Sequence, residues 1–332
     1  MKSARRIKSS SVFKRWRDLL FLTFTTGYLL SLSPPLLLNA EEDQISQASA
    51  TPEESGPYLL ERLQASRAKL KSGVFQAHRV VTRKPTAREE QDQAGPYLEE
   101  KIFCAFDFEQ DLLRFDTERS GENALLNQVF RYFTTRTEAW HFMSGRNGNM
   151  LKKILPHGHL QFRGEFHPFD IRLVGICNRT EFQQVSSYEK LVEFYTKECT
   201  ATGKLLEDKK YLLTLSHNAG KAQIRREIIL DASRDFVPVQ FDSRYLSSES
   251  EGWRSLHPSI TVEWKKSERS NAFVPAKLIF PEETADDEIT FECKSVNQPL
   301  DQKWFTLVDL KIPHGTEIID ASIPVNPVLE QP

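Results

Sequence analysis

The sequence predicts a mainly β, α+β chain: a large curved antiparallel sheet, or half-open β-barrel, with an N-terminal and a central helix packed on its concave face. Three observations predict it. Short runs of alternating apolar residues recur between turn-like segments through most of the chain. Only two stretches carry helical spacing instead. Nowhere do strand and helix alternate as a parallel sheet demands.

The first forty residues stand apart from the fold. Lys2, Arg5, Arg6, Lys8, Lys14, Arg15 and Arg17 precede the apolar stretch LLFLTFTTGYLLSLSPPLLL, and Ala40 is a small residue before the acidic EEDQ. That order reads as an export signal cleaved near Ala40. A retained anchor has nearly the length to span a bilayer, but Pro34-Pro35 and the acidic mature start favour the signal. The expected organisation is a signal peptide over 1–40, a polar leader over 41–55, a single domain over 56–325 and a tail over 326–332. The mature chain is then periplasmic or otherwise extracytoplasmic, with no integral membrane segment.

The signal takes with it seven of the 44 basic residues and one of the 46 acidic ones, leaving 37 against 45. That acidic balance argues against nucleic acid or an anionic membrane as partner. The remaining length supports a full hydrophobic core. Four cysteines, Cys104, Cys177, Cys199 and Cys293, show no C-x-x-C pair. They allow one or two disulfides in an oxidising compartment, with Cys177 and Cys199 the easiest pair by separation, or serve as buried thiols.

GPYLLERLQASRAKLKSG, from residue 56, reads as an amphipathic helix with Pro57 at its start, Leu63 and Leu70 on one stripe and Gly73 at its end. VFQAHRVVTR alternates, and the charged loop KPTAREEQDQAG separates it from PYLEEKIFCAFDF. AFDFEQDLLRFDTERSG, residues 105 to 121, folds about Glu109-Gln110-Asp111 as a hairpin. VFRYF, AWHFM and MLKKIL continue a meander, with GRNGN at 145–149 as a hairpin turn. A second helix reads from SSYEKLVEFYTKEC, where Ser186 and Glu189 have capping-box spacing and Tyr188, Leu191 and Tyr195 share a face. KYLLTLSH, RREIILDAS, FVPVQFDSRY, SITVEWKKS, FVPAKLIFP, EITFECKSV and WFTLVDLKIP then resume the meander.

Catalytic signals are thin. His157-Gly158-His159 places two imidazoles on one side of a strand, but ligation needs at least three protein groups, and the turn after Pro156 explains the pair. GRNGN lacks the Lys-Ser/Thr of a phosphate loop, no G-x-S-x-G elbow occurs, and acidic residues are merely abundant. The reading is a non-enzyme with no cofactor and no metal, an extracytoplasmic hydrolase being the weakest alternative. FHPFDIRLVGIC, residues 166 to 177, reads as a segment tucked against the sheet with Asp170 and Arg172 pairing or capping; a lid is its functional alternative.

The chain holds 22 Phe, 8 Tyr and 5 Trp, many at alternate strand positions. If those faces converge under the helices they form either a packed core or the wall of an apolar cavity. The candidate wall is Phe106, Phe108, Phe115, Phe130, Tyr132, Trp140, Phe142 and Trp264.

Four stretches carry a resemblance: the N-terminal helix running into KSG, IILDASRDFVPVQFD with Asp231 before its turn and Pro238 in the return strand, FDIRLVG, and the closing FTLVDLKIPHGTEIID. Together they resemble the exported outer-membrane lipoprotein carriers and receptors, the LolA/LolB-like half-barrels, over roughly residues 56 to 320. The resemblance implies an incomplete antiparallel barrel closed by helices around an apolar cavity that holds acyl chains. The chain is longer than a typical carrier, no carrier binding residue maps onto a position here, and no cysteine after the signal is placed for acylation. The function implied is non-enzymatic binding of a lipid or an acylated protein. The alternative is a cell-envelope interaction or structural module with a filled core.

Overall fold

The computed structural model describes residues 55–84, 96–122, 127–145, 148–156, 170–177, 188–207, 209–220, 222–247, 252–281 and 285–320. The expected signal and its Ala40, the leader up to residue 54, His157-Gly158-His159, residues 166–169, Ser186 and the 326–332 tail lie outside them. No described helix is long and apolar enough to cross a membrane.

Helix α1 (Gly56–Ala68) leads into β1 (Ser72–Arg83), β2 (Pro96–Asp107), β3 (Leu112–Gly121), β4 (Gln128–Thr134), β5 (Ala139–Gly145) and β6 (Gly148–Ile154). A 3-10 turn at Ile171–Leu173 precedes helix α2 (Tyr188–Glu198). There follow β7 (Thr200–Leu205), β8 (Lys210–Ala219), β9 (Ala222–Asp231), β10 (Val237–Leu246), β11 (Arg254–Lys266), β12 (Phe273–Pro281), β13 (Ala285–Val296) and β14 (Glu317–Asp320). The 14 described strands form one sheet, in the order β14-β6-β5-β4-β3-β2-β1-β13-β12-β11-β10-β9-β8-β7. The sheet is curved and open, with both helices on its concave face. Its pairs are antiparallel except β14 on β6, which is parallel.

Local chemistry explains most boundaries. Ser55 caps α1 by accepting from the Tyr58 N–H at 3.3 Å, with Pro57 in the first turn where its missing N–H is harmless. The helix ends at Ala68, so Gly73 is not its stop. Gly73 lies inside β1, where a Cβ would come within about 3.0 Å of the Phe75 ring and the Ser295 carbonyl. The β2–β3 hairpin turns where the Asp107 carboxylate accepts from the N–H groups of Glu109 and Gln110, both at 3.1 Å, and Asp111 adopts φ 57°. Asp231 works the same way before β10, accepting from the Ser233 N–H at 3.0 Å ahead of left-handed Asp235 and Phe236.

Three expectations change. WFTLVDLKIP is not a strand: it forms 3-10 turns at Gln302–Phe305 and Val308–Leu310. Arginines on the sheet's reverse face hold its carbonyls, Arg114 donating to Trp304 and Asp309 and Arg131 to Leu310. With those groups bonded to side chains, the segment has no need of a ladder. Two strands went unread, β7 and β14. They lie at the sheet's two ends and neither has a fully buried residue, so neither TATGKL nor EIID carries the apolar alternation that betrays a half-buried strand.

No disulfide joins the cysteines. Cys104 and Cys293 flank Phe75 from opposite sides in the register. They are therefore two strand spacings apart, roughly 9.6 Å, beyond the reach of a bridge. Burial, with the nearby Asp170 and Asp116 charges, raises the Cys104 thiol well above its ordinary value and makes it inert.

Candidate functional site

The concave face is built by parity. On β1 the inward side chains are Phe75, Ala77, Arg79 and Val81; on β2 they are Leu98, Glu100, Ile102, Cys104 and Phe106. The facing inward sets of β3 and β4 are Phe115, Thr117 and Arg119, then Phe130 and Tyr132. Leu59, Leu60, Leu63 and Leu70 from α1 and its exit, with Tyr188, Leu191 and Tyr195 from α2, join the same core. Gly56 seats the helix: a Cβ there would fall 2.2 Å from the backbone of Ala201 on β7.

Residues 170–177 tuck into this core as the sequence suggested. The Asp170 carboxylate accepts from the Arg172 N–H at 2.9 Å and is also paired with its guanidinium, while Ile171, Leu173, Val174, Ile176 and Cys177 are all buried. Arg172 in turn lies 3.7 Å over the Phe108 ring and reaches Glu189 at 2.8 Å, which ties the segment to α2. Burial raises the Asp170 carboxyl despite the arginine beside it.

The candidate wall residues separate into two sets. Phe106 is fully buried between Phe75, at 5.9 Å between centroids, and Phe108, at 4.5 Å. Phe115 and Tyr132 are register partners, Phe130 stacks on His141 at 6.1 Å, and Trp264 lies beneath α1. Trp140 and Phe142 point the other way, into a cluster with Phe133, Leu151, Phe305 and Leu310 under the 302–310 turns. Tyr132 pairs with His141, so His141 is inward and its neighbours on either side are outward. Burial pushes the Tyr132 phenol up to about 12.

His141 is held neutral. Burial, with the Lys152 charge as a second cause, pushes it down to about 3 from 6.5. A histidine that titrates lower in the folded than in the unfolded chain contributes stability above about pH 6.5, and that stability is lost as pH falls toward 3. Between pH 6.5 and 5 the wild-type chain should lose up to about 1.4 kcal/mol per pH unit relative to His141→Gln. Thermal melts of both proteins across that range test it; parallel declines would refute the assignment.

Two charged features were missed. Arg79 bonds both oxygens of Asp287, Nε to Oδ1 at 2.8 Å and Nη2 to Oδ2 at 2.7 Å, and reaches Glu100 at 3.2 Å; Arg119 takes the other oxygen of Glu100 at 3.4 Å. These four charges are buried in the concave face across β13, β1, β2 and β3. The second feature is Arg67, on the inner stripe of α1, whose guanidinium lies 4.2 Å over the Trp264 ring. Parity would have found the first, since Arg79 shares a side with Phe75 and Val81, and Glu100 with Leu98 and Ile102. The spacing Leu63, Arg67, Leu70 would have found the second.

An open groove of about 800 Å³ lies at the β7–β8 turn, lined by Leu206, Lys210, Asp231, Arg234 and Glu263 among others. No candidate wall residue lines it. Among the described residues no three His, Cys, Asp or Glu side chains gather as a metal site would need.

The described strands form one open sheet roofed by helices on one face. Two solved structures are similar in fold. A DUF1329 family protein from Desulfovibrio piger shares 10% identity at a TM-score of 0.45, covering 77% of this chain and 97% of that one. A LolA superfamily protein from Nitrosomonas europaea shares 12% at a TM-score of 0.39, covering 77% and 99%. No protein-family profile matches the chain, and a search of curated proteins returned no match.

Proposed function

We propose that the chain is an exported, non-enzymatic lipid- or lipoprotein-binding protein, a single domain over 56–325 that holds acyl chains against its concave face after signal cleavage near Ala40. The observation that carries this reading is the nature of the cover. Among the described residues the apolar face is closed by two short helices and the 170–177 segment, not by a second sheet: Arg172 ties the segment to α2, and the Tyr188 hydroxyl, donating to the Gln64 carbonyl, ties α2 to α1. Such a cover can lift as a unit and leave Phe106, Phe108, Phe115, Phe130, Tyr132 and Trp264 as the wall. Each methylene then removed from water contributes about 0.8 kcal/mol, so ten contribute roughly 8 kcal/mol before ordering costs. Release follows when the cover closes again over the empty face.

The test is native mass spectrometry of the processed protein from the extracytoplasmic fraction, followed by organic extraction. An acyl-chain lipid at near one-to-one stoichiometry is expected. A clean apo mass with no uptake of added lipid or acyl peptide would leave the envelope interaction module. For that second reading the specific observation is β7, which has a sheet neighbour on one side only and exposes Leu205 near its end.

A further inference from the structure

Among the described residues, one buried cation has no hydrogen-bond acceptor. Arg67 is completely buried, and none of its Nε, Nη1 and Nη2 atoms has a hydrogen-bond partner among the described residues. A guanidinium carries five N–H donors, and leaving them unmet in a dry site is among the least favourable arrangements a fold can hold. The other deeply buried arginines do not share this state. Arg79 grips Asp287, Arg114 grips Asp116, and Arg172 grips Asp170.

The acceptors around Arg67 are already committed. Asp170 is held by Arg172, Asp235 by Lys69 at 2.6 Å, and the Tyr188 hydroxyl donates to the Gln64 carbonyl at 3.1 Å. What Arg67 does have is a platform, the Trp264 ring, itself fixed by its Nε1–H donating to the Pro238 carbonyl at 2.6 Å. Burial lowers Arg67 to about 10, so it remains charged at neutral pH. A filled structural core has no use for this group, since an apolar side chain of equal size would pack there at less cost.

We propose that Arg67 is the anchor for the anionic head of a bound ligand, the carboxylate or phosphate of an acyl-chain lipid, seated on Trp264 beneath α1. The inference rests on the lipid-binding reading and names the class of head group it takes. A planar guanidinium presents paired donors that match both oxyanions. From Trp264 on β11 to Phe106 on β2 the sheet spans four strand spacings, roughly 19 Å, along which the chain of the ligand lies.

The experiment compares the wild-type protein with Arg67→Met and Arg67→Lys, each produced with its own N-terminal segment, delipidated, and titrated calorimetrically with oleate, methyl oleate and inorganic phosphate. Wild type is expected to bind oleate at least about tenfold more tightly than its methyl ester. Arg67→Met should lose that preference, keep its affinity for methyl oleate, and melt above wild type without ligand; Arg67→Lys should retain part of the preference. Equal wild-type affinity for acid and ester, or a preference that survives in Arg67→Met, overturns the anchor. If neither acyl probe binds but phosphate binds wild type and not Arg67→Met, the anion site stands as one for a free phosphate and the lipid reading falls. If methyl oleate alone binds, the lipid reading stands and the anchor falls.

Discussion

Replacing Asp287 with alanine is expected to destabilise the fold by about 3–5 kcal/mol, the penalty for leaving a buried guanidinium without its carboxylate. Arg79 and Asp287 are each only 2% exposed at the side chain and share a two-bond contact, so water cannot take over for the missing partner. The remaining Glu100 would then face both Arg79 and Arg119, one carboxylate between two guanidiniums. Burial by itself would lower Arg79; the hydrogen bonds and charges of Asp287 and Glu100 outweigh it, and the group ends above its ordinary value. Urea unfolding gives the measurement. The pair Asp287→Ala with Arg79→Leu should lose less than Asp287→Ala alone, because the double change removes the orphaned charge. A loss below about 1 kcal/mol for the single variant would show that the site is wetter than its geometry.

Phe106→Ala is expected to cost about 3–5 kcal/mol, as large aromatic truncations in closed cores do. The ring is fully buried, stacked between Phe75 and Phe108, and backed by the guanidinium of Arg172 over Phe108. Phe130, only partly buried, should cost clearly less when truncated in the same way. Equal losses in urea unfolding would mean that the wall is no better packed at its centre than at its margin.

Much of this was legible in the chain itself. The hairpin at 105–121 announced itself by Phe106 and Phe115 on either side of a polar turn, and the Asp107 carboxylate completes it by accepting from backbone N–H groups two and three residues on. Pro57 marked the start of α1, and the pairing of Asp170 with Arg172 is a contact between near neighbours. Such features depend on interactions that reach only a few residues.

Trp140 and Phe142 show where that reach ends. Period-2 alternation puts them on one face together but does not say which face, and the register Tyr132 to His141 turns them to the reverse side. The 302–310 turns depend on Arg114 and Arg131, some 180 residues away along the chain. Arg79 and Asp287 are 208 residues apart, and Arg67 meets Trp264 only because α1 lies across β11. The sequence by itself determined most of the strands with one dry face, turns between them and the two helices, because each follows from local spacing. The tertiary structure alone decided which face each strand turns inward, which charges meet in the dry interior, and that Arg67 meets an aromatic ring there with no acceptor for its N–H groups among the described residues, because those outcomes are set by register and packing between segments far apart in the chain.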